Sequence, residues 1–390
     1  MRKIIKYFLY TLFIPFWWLQ KLIPRNRNIW IFGAWYGLKY SDNAKVLFEY
    51  VSEHNLEIKP IWLTKSKNIV TQLKSAKKNV FLANSFKGIF YSLIAGKVIF
   101  SSGKVDINKF FINGAKTVNV WHGAPIKKIG LDDLFANLSK YKKIIFKYLY
   151  PFVWEFNIDY VVSTAEIFND KLSSAFNVPV KNIIPSGYPR CDLLFNLKLN
   201  QLTLNFNLKF NKPKIILYLP TFRSGNAKFL PFNNFEFDEK AWDYYLNKSN
   251  SLLISKGHFV DKTVGALTNI ERVIHISDDD IPELNDFLKD VDILITDYSG
   301  VYFDFLLTDK PIILAPFDLQ NYILKSRELY FKYDEIVCGY RANNWKQILE
   351  LLNSNIDLIP DNKYFKIKKL FNTYNHGNSS SELMNYIYNI

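Results

Sequence analysis

Residues 291–315 read Val-Asp-Ile-Leu-Ile-Thr-Asp-Tyr-Ser-Gly-Val-Tyr-Phe-Asp-Phe-Leu-Leu-Thr-Asp-Lys-Pro-Ile-Ile-Leu-Ala. The run Val291–Thr296 is short and apolar, the pattern of a strand buried on both faces of a parallel sheet. It breaks into Thr296-Asp297-Tyr298-Ser299-Gly300, residues that suit a turn and a helix start. Val301, Tyr302, Phe305 and Leu306 then recur at helical spacing, Lys310-Pro311 stops the helix, and Ile312–Ala315 begins another buried strand. This is a β-α-β unit. Its strand-to-helix turn, with small hydroxyl and glycine residues at the positive end of a helix dipole, suits a phosphate; read alone, it also fits a simple helix cap.

Outward from that unit the same alternation runs along the chain. Strands are predicted at Ile29–Phe32, Ile58–Leu63, Asn79–Leu82, Lys97–Ser101, Thr117–Trp121, Ile158–Ser163 and Asn182–Ser186. They resume at Lys214–Leu219, Leu252–Ser255 and Arg272–Ile276, with helical spacing between, and the tail from Lys366 reads as helical. Residues 196–212 are rich in Asn and Lys and weakly periodic, so they are the expected linker. The fold class expected is α/β, with two Rossmann-like domains facing a cleft, 28–200 and 201–390, after an N-terminal segment 1–27. A chain of 390 residues supports two domains.

Composition narrows the partners. Fifty Lys and Arg against 36 Asp and Glu give a net charge of +14, which favours an anionic partner such as nucleic acid, anionic lipid or a phosphorylated substrate. The 33 Phe, 24 Tyr and 9 Trp exceed what a typical soluble domain needs. Two cysteines, Cys191 and Cys338, exclude a disulfide framework and fit a reducing compartment. No Cys/His cluster has zinc spacing, and no internal repeat is found.

Two segments point to a membrane surface. Tyr7–Leu19 is apolar but short for a span of about 20 residues, and Pro15 interrupts it. Arg2, Lys3, Lys6, Lys21, Trp17 and Trp18 flank or border it as they would in a helix lying among headgroups. Between Asn137 and Trp154, Lys140, Lys142, Lys143 and Lys147 interleave with Tyr141, Phe146, Tyr148, Tyr150, Phe152 and Trp154. That pattern could stack nucleic-acid bases or press on a bilayer; beside the N-terminal segment, the bilayer is favoured.

The polar clusters follow strands. After Thr117–Trp121 comes His122-Gly123-Ala124-Pro125-Ile126-Lys127-Lys128, with a histidine at a strand end whose ordinary pKa suits a general base. After Asn182–Ser186 comes Gly187-Tyr188-Pro189-Arg190-Cys191-Asp192; after Lys214–Leu219, Pro220-Thr221-Phe222-Arg223; after Leu252–Ser255, Lys256-Gly257-His258. Arg223, Lys256 and His258 could neutralise a diphosphate or could be ordinary surface charge.

Taken together, these clusters resemble the CDP-glycerol glycerophosphotransferase family, the teichoic-acid primases and polymerases. Trp121 to Gly130 is similar to that family's His-Gly-Thr-Pro-Leu-Lys motif. Tyr40-Ser41-Asp42-Asn43, the 187–192 cluster, Pro220–Arg223 and Thr296–Asp304 follow in matching order over roughly residues 28 to 340. The resemblance implies a GT-B fold, with the acceptor side in 28–200 and the nucleotide in 201–390, and two functional histidines. His122 would be the base that deprotonates an acceptor hydroxyl, and His258 would contact donor phosphates. Thr296, Ser299 and the helix start at Gly300 would join His258, Arg223 would help bind the diphosphate, and Asp297 reads equally as a ligand or a cap. This chain departs from the pattern at Ala124, Cys191, Phe259 and Gly300.

The expected reaction attacks phosphorus: an acceptor hydroxyl displaces CMP from CDP-glycerol, a step that needs alignment and charge stabilisation more than covalent chemistry. CDP-glycerol is then the donor substrate, with no obligatory cofactor or metal expected. The expected partners are a lipid-linked saccharide or growing teichoic-acid or capsule polymer and an anionic membrane at the cytoplasmic face, with no nucleic acid. A nucleotide-sugar GT-B glycosyltransferase and a CDP-ribitol-dependent enzyme are the alternatives.

Overall fold

The protein is described by a computed structural model that covers residues 2–133, 138–221, 231–257, 270–319, 328–354 and 360–390, with the side chains of 2–7 and 140 left aside. Two compact units emerge, Met1–Asp192 with Thr373–Ile390, and Leu193–Asn372.

The first unit is built on a parallel sheet of β1 (Asn26–Gly33), β2 (Lys59–Thr64), β3 (Val80–Leu82), β4 (Ala95–Phe100), β5 (Lys116–Asn119), β6 (Tyr160–Val162) and β7 (Ile183–Ile184). Its order is β3-β2-β1-β4-β5-β6-β7. The central pairs are in register at Trp30–Lys97 and Phe32–Ile99 on one side of β1, and at Ile31–Ile61 on the other. Trp30, Ile31 and Phe32 are all buried, as a central parallel strand covered on both faces requires. Phe48, from the helix Asp42–His54, meets Phe32 and Trp62 edge-on at 5.4 and 5.6 Å.

The second unit repeats the plan. The strands β8 (Lys214–Leu219), β9 (Ser251–Lys256), β10 (Val273–Ile276), β11 (Ile293–Thr296), β12 (Ile312–Leu314) and β13 (Tyr340–Arg341) take the order β10-β9-β8-β11-β12-β13, again all parallel. Its core is aromatic: Tyr218, Trp242 and Trp345 are buried and Phe232 and Phe237 pack against them. Much of the aromatic excess of the sequence is spent in these two cores.

In each sheet the strand order reverses once, between β1 and β4 and between β8 and β11. The crevice beyond the strand C-termini at such a reversal is where doubly wound sheets take ligands. The loops that leave β1 and β4, and those that leave β8 and β11, open onto these crevices.

Three features differ from the sequence expectation. The 196–212 stretch contains a helix, Gln201–Phe210, whose N-cap is Asn200. Thr203, Phe206 and Phe210 are buried on one face of it, and packing of that kind overrides a poor intrinsic propensity. The tail 373–390 belongs to the first unit, although it was expected with the second half. Asp192 accepts the N–H groups of Ser379 and Ser380 at 2.9 and 2.7 Å, and Asn375 accepts that of Tyr188 at 2.8 Å. Third, β13 was not expected.

The helix Arg2–Leu19 continues through Pro15. Its inner face sets Tyr10, Phe13 and Trp17 against Phe152 at 5.3–5.7 Å. Gln20 and Asn113 hold its end, through Gln20 Nε2 to the Phe110 carbonyl (2.8 Å) and Asn113 Nδ2 to the Trp17 carbonyl (2.6 Å). Its outer face leaves Phe8, Leu9, Leu12 and Leu19 exposed. No helix among the described residues is long and apolar enough to cross a membrane.

Candidate active site

In the first unit three of the sequence clusters meet around His122. Asn43, fully buried in the first turn of the helix Asp42–His54, is their junction. Its Nδ2 donates to the carbonyls of Val120 and Trp121 at 3.1 and 2.9 Å, and its Oδ1 accepts the Arg190 N–H at 3.1 Å. Arg190 Nη1 donates to Asp42 Oδ1 (3.0 Å) and to the His122 carbonyl (2.7 Å), while Tyr188 Oη donates to the Gly123 carbonyl (3.1 Å). One buried side chain thus fixes the loop after β5 against the helix after β1 and the loop after β7.

The His122 ring is half-buried between indoles, with centroids 5.1 Å from Trp35 and 4.0 Å from Trp121. Its Nδ1 lies 3.2 Å from the Ser101 carbonyl. A carbonyl can only accept, so Nδ1 carries the proton and Nε2 holds a lone pair. Nε2 has no hydrogen bond among the described residues. Burial pushes the ring's pKa below its ordinary value of 6.5; Asp42 and the Ser101 carbonyl pull it back up, and Arg190 pushes it down again. At neutral pH the ring is an unprotonated base.

The surrounding backbone is strained. Trp35 (φ 48°), Tyr36 (φ 61°), Asp42 (φ 70°) and Trp121 (φ 51°) are left-handed without being glycine. Each such residue costs on the order of 1–3 kcal/mol, and clusters of them collect at functional sites.

In the second unit the loops after β8 and β11 are locked together. The Thr221 N–H donates to both oxygens of Asp297, at 2.8 and 3.1 Å, and its hydroxyl donates to Oδ1 at 2.6 Å. Thr296 Oγ1 donates to the Leu219 carbonyl at 2.7 Å, and Tyr333 Oη donates to the Asp297 carbonyl at 2.9 Å. Thr296 and Asp297 are buried and occupied in joining loops, which leaves Ser299 and Gly300 as the half-exposed members of that turn. The helix they start is short: Val301–Phe305 tightens at once into the turn Leu306–Thr308, so the dipole expected from the sequence is small. Lys256 is paired with Asp278. Arg223 and His258 lie outside the described residues. Among the described residues, no three His, Cys, Asp or Glu side chains are grouped to hold a metal.

A family model, CDP-glycerol:poly(glycerophosphate) glycerophosphotransferase, matches residues 16–389. The chain belongs to this family. Among the glycerophosphotransferase family's characterised members, a teichoic acid glycerol-phosphate transferase of Staphylococcus aureus is 28% identical over 391 residues, covering 95% of this chain and 93% of that one. A teichoic acid poly(glycerol phosphate) polymerase of Bacillus spizizenii is 27% identical over 380 residues, covering 93% and 92%. The wall teichoic acid polymerase TagF shares the fold, with a TM-score of 0.74 at 21% identity over 94% of this chain and 89% of that one. The two parallel sheets are thus those of a GT-B-like family enzyme, and the expected family and glycerophosphotransfer activity stand.

For this glycerophosphotransferase the structure adds residues that the sequence did not single out individually: Asp42, Asn43, Arg190, Ser101 and Trp35. Asp42, Asn43 and Arg190 lay within quoted motifs, and a carboxylate and an amide opening the first helix after β1 were the available signal. Ser101 and Trp35 act through a backbone carbonyl and a strained turn, neither of which a residue type reveals.

Proposed function

We propose that this protein transfers glycerol phosphate from CDP-glycerol to a hydroxyl of a lipid-linked acceptor or a growing teichoic-acid chain, with His122 as the general base. The acceptor oxygen attacks the β-phosphorus, a new P–O bond forms, the P–O bond to CMP breaks, and the acceptor proton passes to His122 Nε2. The observation that carries this is the His122 environment: Nδ1 fixed on the Ser101 carbonyl, Nε2 unengaged among the described residues, and a depressed pKa. Such a ring is neutral and directional at the pH of a cell. Ser299 and Gly300 contact the donor phosphates in this mechanism, with Arg223, Lys256 and His258 as the cationic and imidazole groups for the diphosphate. Thr296 and Asp297 serve by setting that turn.

The protein acts from the cytoplasmic face of the membrane, bound peripherally. The exposed Phe8, Leu9, Leu12 and Leu19 on the first helix support this, as do exposed Tyr141, Ile144, Ile145 and Tyr148 beside Lys142, Lys143 and Lys147 on the helix Lys140–Tyr148. Surface binding raises the local concentration of a lipid-linked acceptor.

The test is CMP release by purified protein from CDP-glycerol, CDP-ribitol and a UDP-sugar, each with and without lipid-linked acceptor. Acceptor-dependent release from CDP-glycerol, reduced about 10²- to 10⁴-fold in His122→Ala, is the expected result. Release from CDP-ribitol alone would change the donor, and release of UDP alone would overturn phosphotransfer.

A further inference from the structure

Asp106 lies outside every motif of the sequence, yet its carboxylate is closely linked to His122. It is fully buried in the loop that leaves β4, on the same end of the sheet as His122. Oδ2 accepts the N–H groups of Ser101 and Ser102 at 3.0 and 2.7 Å. Oδ1 accepts the N–H of Tyr36 at 2.6 Å.

The Ser102 N–H and the Ser101 carbonyl are the two ends of one peptide plane. A trans peptide holds them rigidly and in opposite directions. Asp106 Oδ2 therefore takes one end of that plane while His122 Nδ1–H takes the other. A negative charge on the N–H end also polarises the carbonyl and strengthens it as an acceptor. The remaining oxygen pins the left-handed Trp35–Tyr36 turn, which sets the Trp35 indole 5.1 Å from the imidazole. Gly33 and Gly37 make this approach possible: a Cβ on either would fall 2.9 or 2.8 Å from the Asp106 carbonyl oxygen.

We propose that Asp106 is the positioning residue of His122, acting through the peptide between Ser101 and Ser102 and through the Trp35–Tyr36 turn. A carboxylate that sits directly on a catalytic imidazole fixes its tautomer and orientation; here a peptide is interposed. This role rests on His122 as the base, and the other charged groups facing the pair are Lys65 beside Asp106 and Asp42 and Arg190 beside His122.

The experiment pairs Asp106→Asn with His122→Ala in the full chain and adds ¹⁵N-histidine NMR. An amide can accept on only one side, so Asp106→Asn must face an N–H with its own NH₂ at either the Tyr36 or the Ser101–Ser102 contact. Expected for Asp106→Asn is a kcat about 10- to 100-fold lower with KM for CDP-glycerol within about twofold, because misplacing a base affects the chemical step. The acid limb of kcat should also move to lower pH, since the Ser101 carbonyl raises the His122 pKa. A purely structural loss would lower the active fraction and leave that limb in place. In the wild type, NMR should show His122 protonated at Nδ1 and bare at Nε2. The opposite tautomer would overturn the proposal even if the variant failed to fold. Turnover surviving in His122→Ala would overturn both the base and its positioning. Loss in His122→Ala beside wild-type kcat, acid limb and tautomer in Asp106→Asn would overturn the positioning alone.

Discussion

Asp106 holds its place at an energetic cost, and the cost has a measurable sign. Burial pushes its carboxyl from 3.8 up to about 6, against hydrogen bonds from Ser101, Ser102, Gly103 and Tyr36 that pull it down. A carboxyl whose folded pKa is raised binds its proton more tightly in the native state. Its stability contribution is thus full below pH 4 and lost as pH rises through 6. The stability of the wild type relative to Asp106→Asn should therefore grow as pH falls from 7.5 to 4, by up to about 3 kcal/mol, because each tenfold gain in proton affinity is worth about 1.4 kcal/mol. Urea unfolding of both proteins at the two pH values checks it; a constant gap would show that the carboxyl keeps its ordinary pKa in the folded protein. Arg190 gives the opposite case of a charge that is paired. Asp42 and Arg190 are 8% and 11% exposed at the side chain, so removing one strands the other out of water. Arg190→Met should cost about 3–5 kcal/mol and lower the melting temperature accordingly. Arg190→Lys, a point charge without the fork, should recover only part of that because it cannot serve both the Asp42 carboxylate and the His122 carbonyl.

At the scale of the element, the first helix has two apolar faces, one packed against the first unit and one exposed. Phe13 meets Phe110, Phe111 and Phe152 at 5.3–6.0 Å, whereas Phe8 and Leu12 are each 62% exposed. Phe8→Glu with Leu12→Glu should cut sedimentation with anionic vesicles several-fold and leave thermal stability unchanged, while Phe13→Ala should lower stability by about 2–4 kcal/mol. Vesicle binding unaffected by the double variant would remove this face from the membrane account. The helix was legible because its apolar run and basic flanks are continuous in sequence. The twelve expected strands were legible for a related reason: in a parallel sheet covered on both faces each strand is an unbroken apolar run, and runs such as Lys214–Leu219 need no partner to be recognised. Elements defined by their surroundings were not. Gln201–Phe210 reads as linker because Asn and Thr dilute its helical signal, and it forms on the Asn200 cap and three buried side chains. At two residues, Tyr340–Arg341 is too short to carry a period at all.

Over the whole molecule, the site was legible as a set of loops and not as a set of contacts. The His122, Asp42–Asn43 and Arg190 clusters are far apart in sequence, and each follows a strand of one sheet; only the closure of that sheet shows that Asn43 joins them. The same long-range closure involves the chain's last residues. The loop 187–192, which presents Arg190 to His122, is itself held by the tail. Asn375 Oδ1 accepts the Tyr188 N–H, Asp192 takes the N–H groups of Ser379 and Ser380, and the Tyr374 N–H donates to the Thr164 carbonyl at 2.9 Å. Gly187 has φ +74°, and a Cβ there would fall 2.3 Å from Asn375 Oδ1 and 2.6 Å from Ser379 Oγ, so tail and loop are in close contact. Removing residues 373–390 would leave the Tyr188 N–H and the Asp192 carboxylate without these partners and expose the side of the first unit that Leu383 and Ile387 cover. Each lost buried bond costs about 1–3 kcal/mol, enough together to exceed the stability margin of an ordinary domain when the lost apolar cover is added. A chain ending at Asn372 should therefore lose CMP release, with hydrogen exchange accelerated in β5–β7 while β8, β9 and β11 in the second unit keep their protection. Loss of protection in both sheets alike would show that the two units unfold as one. Full activity in the truncated chain would show that the 187–192 loop holds Arg190 on its own.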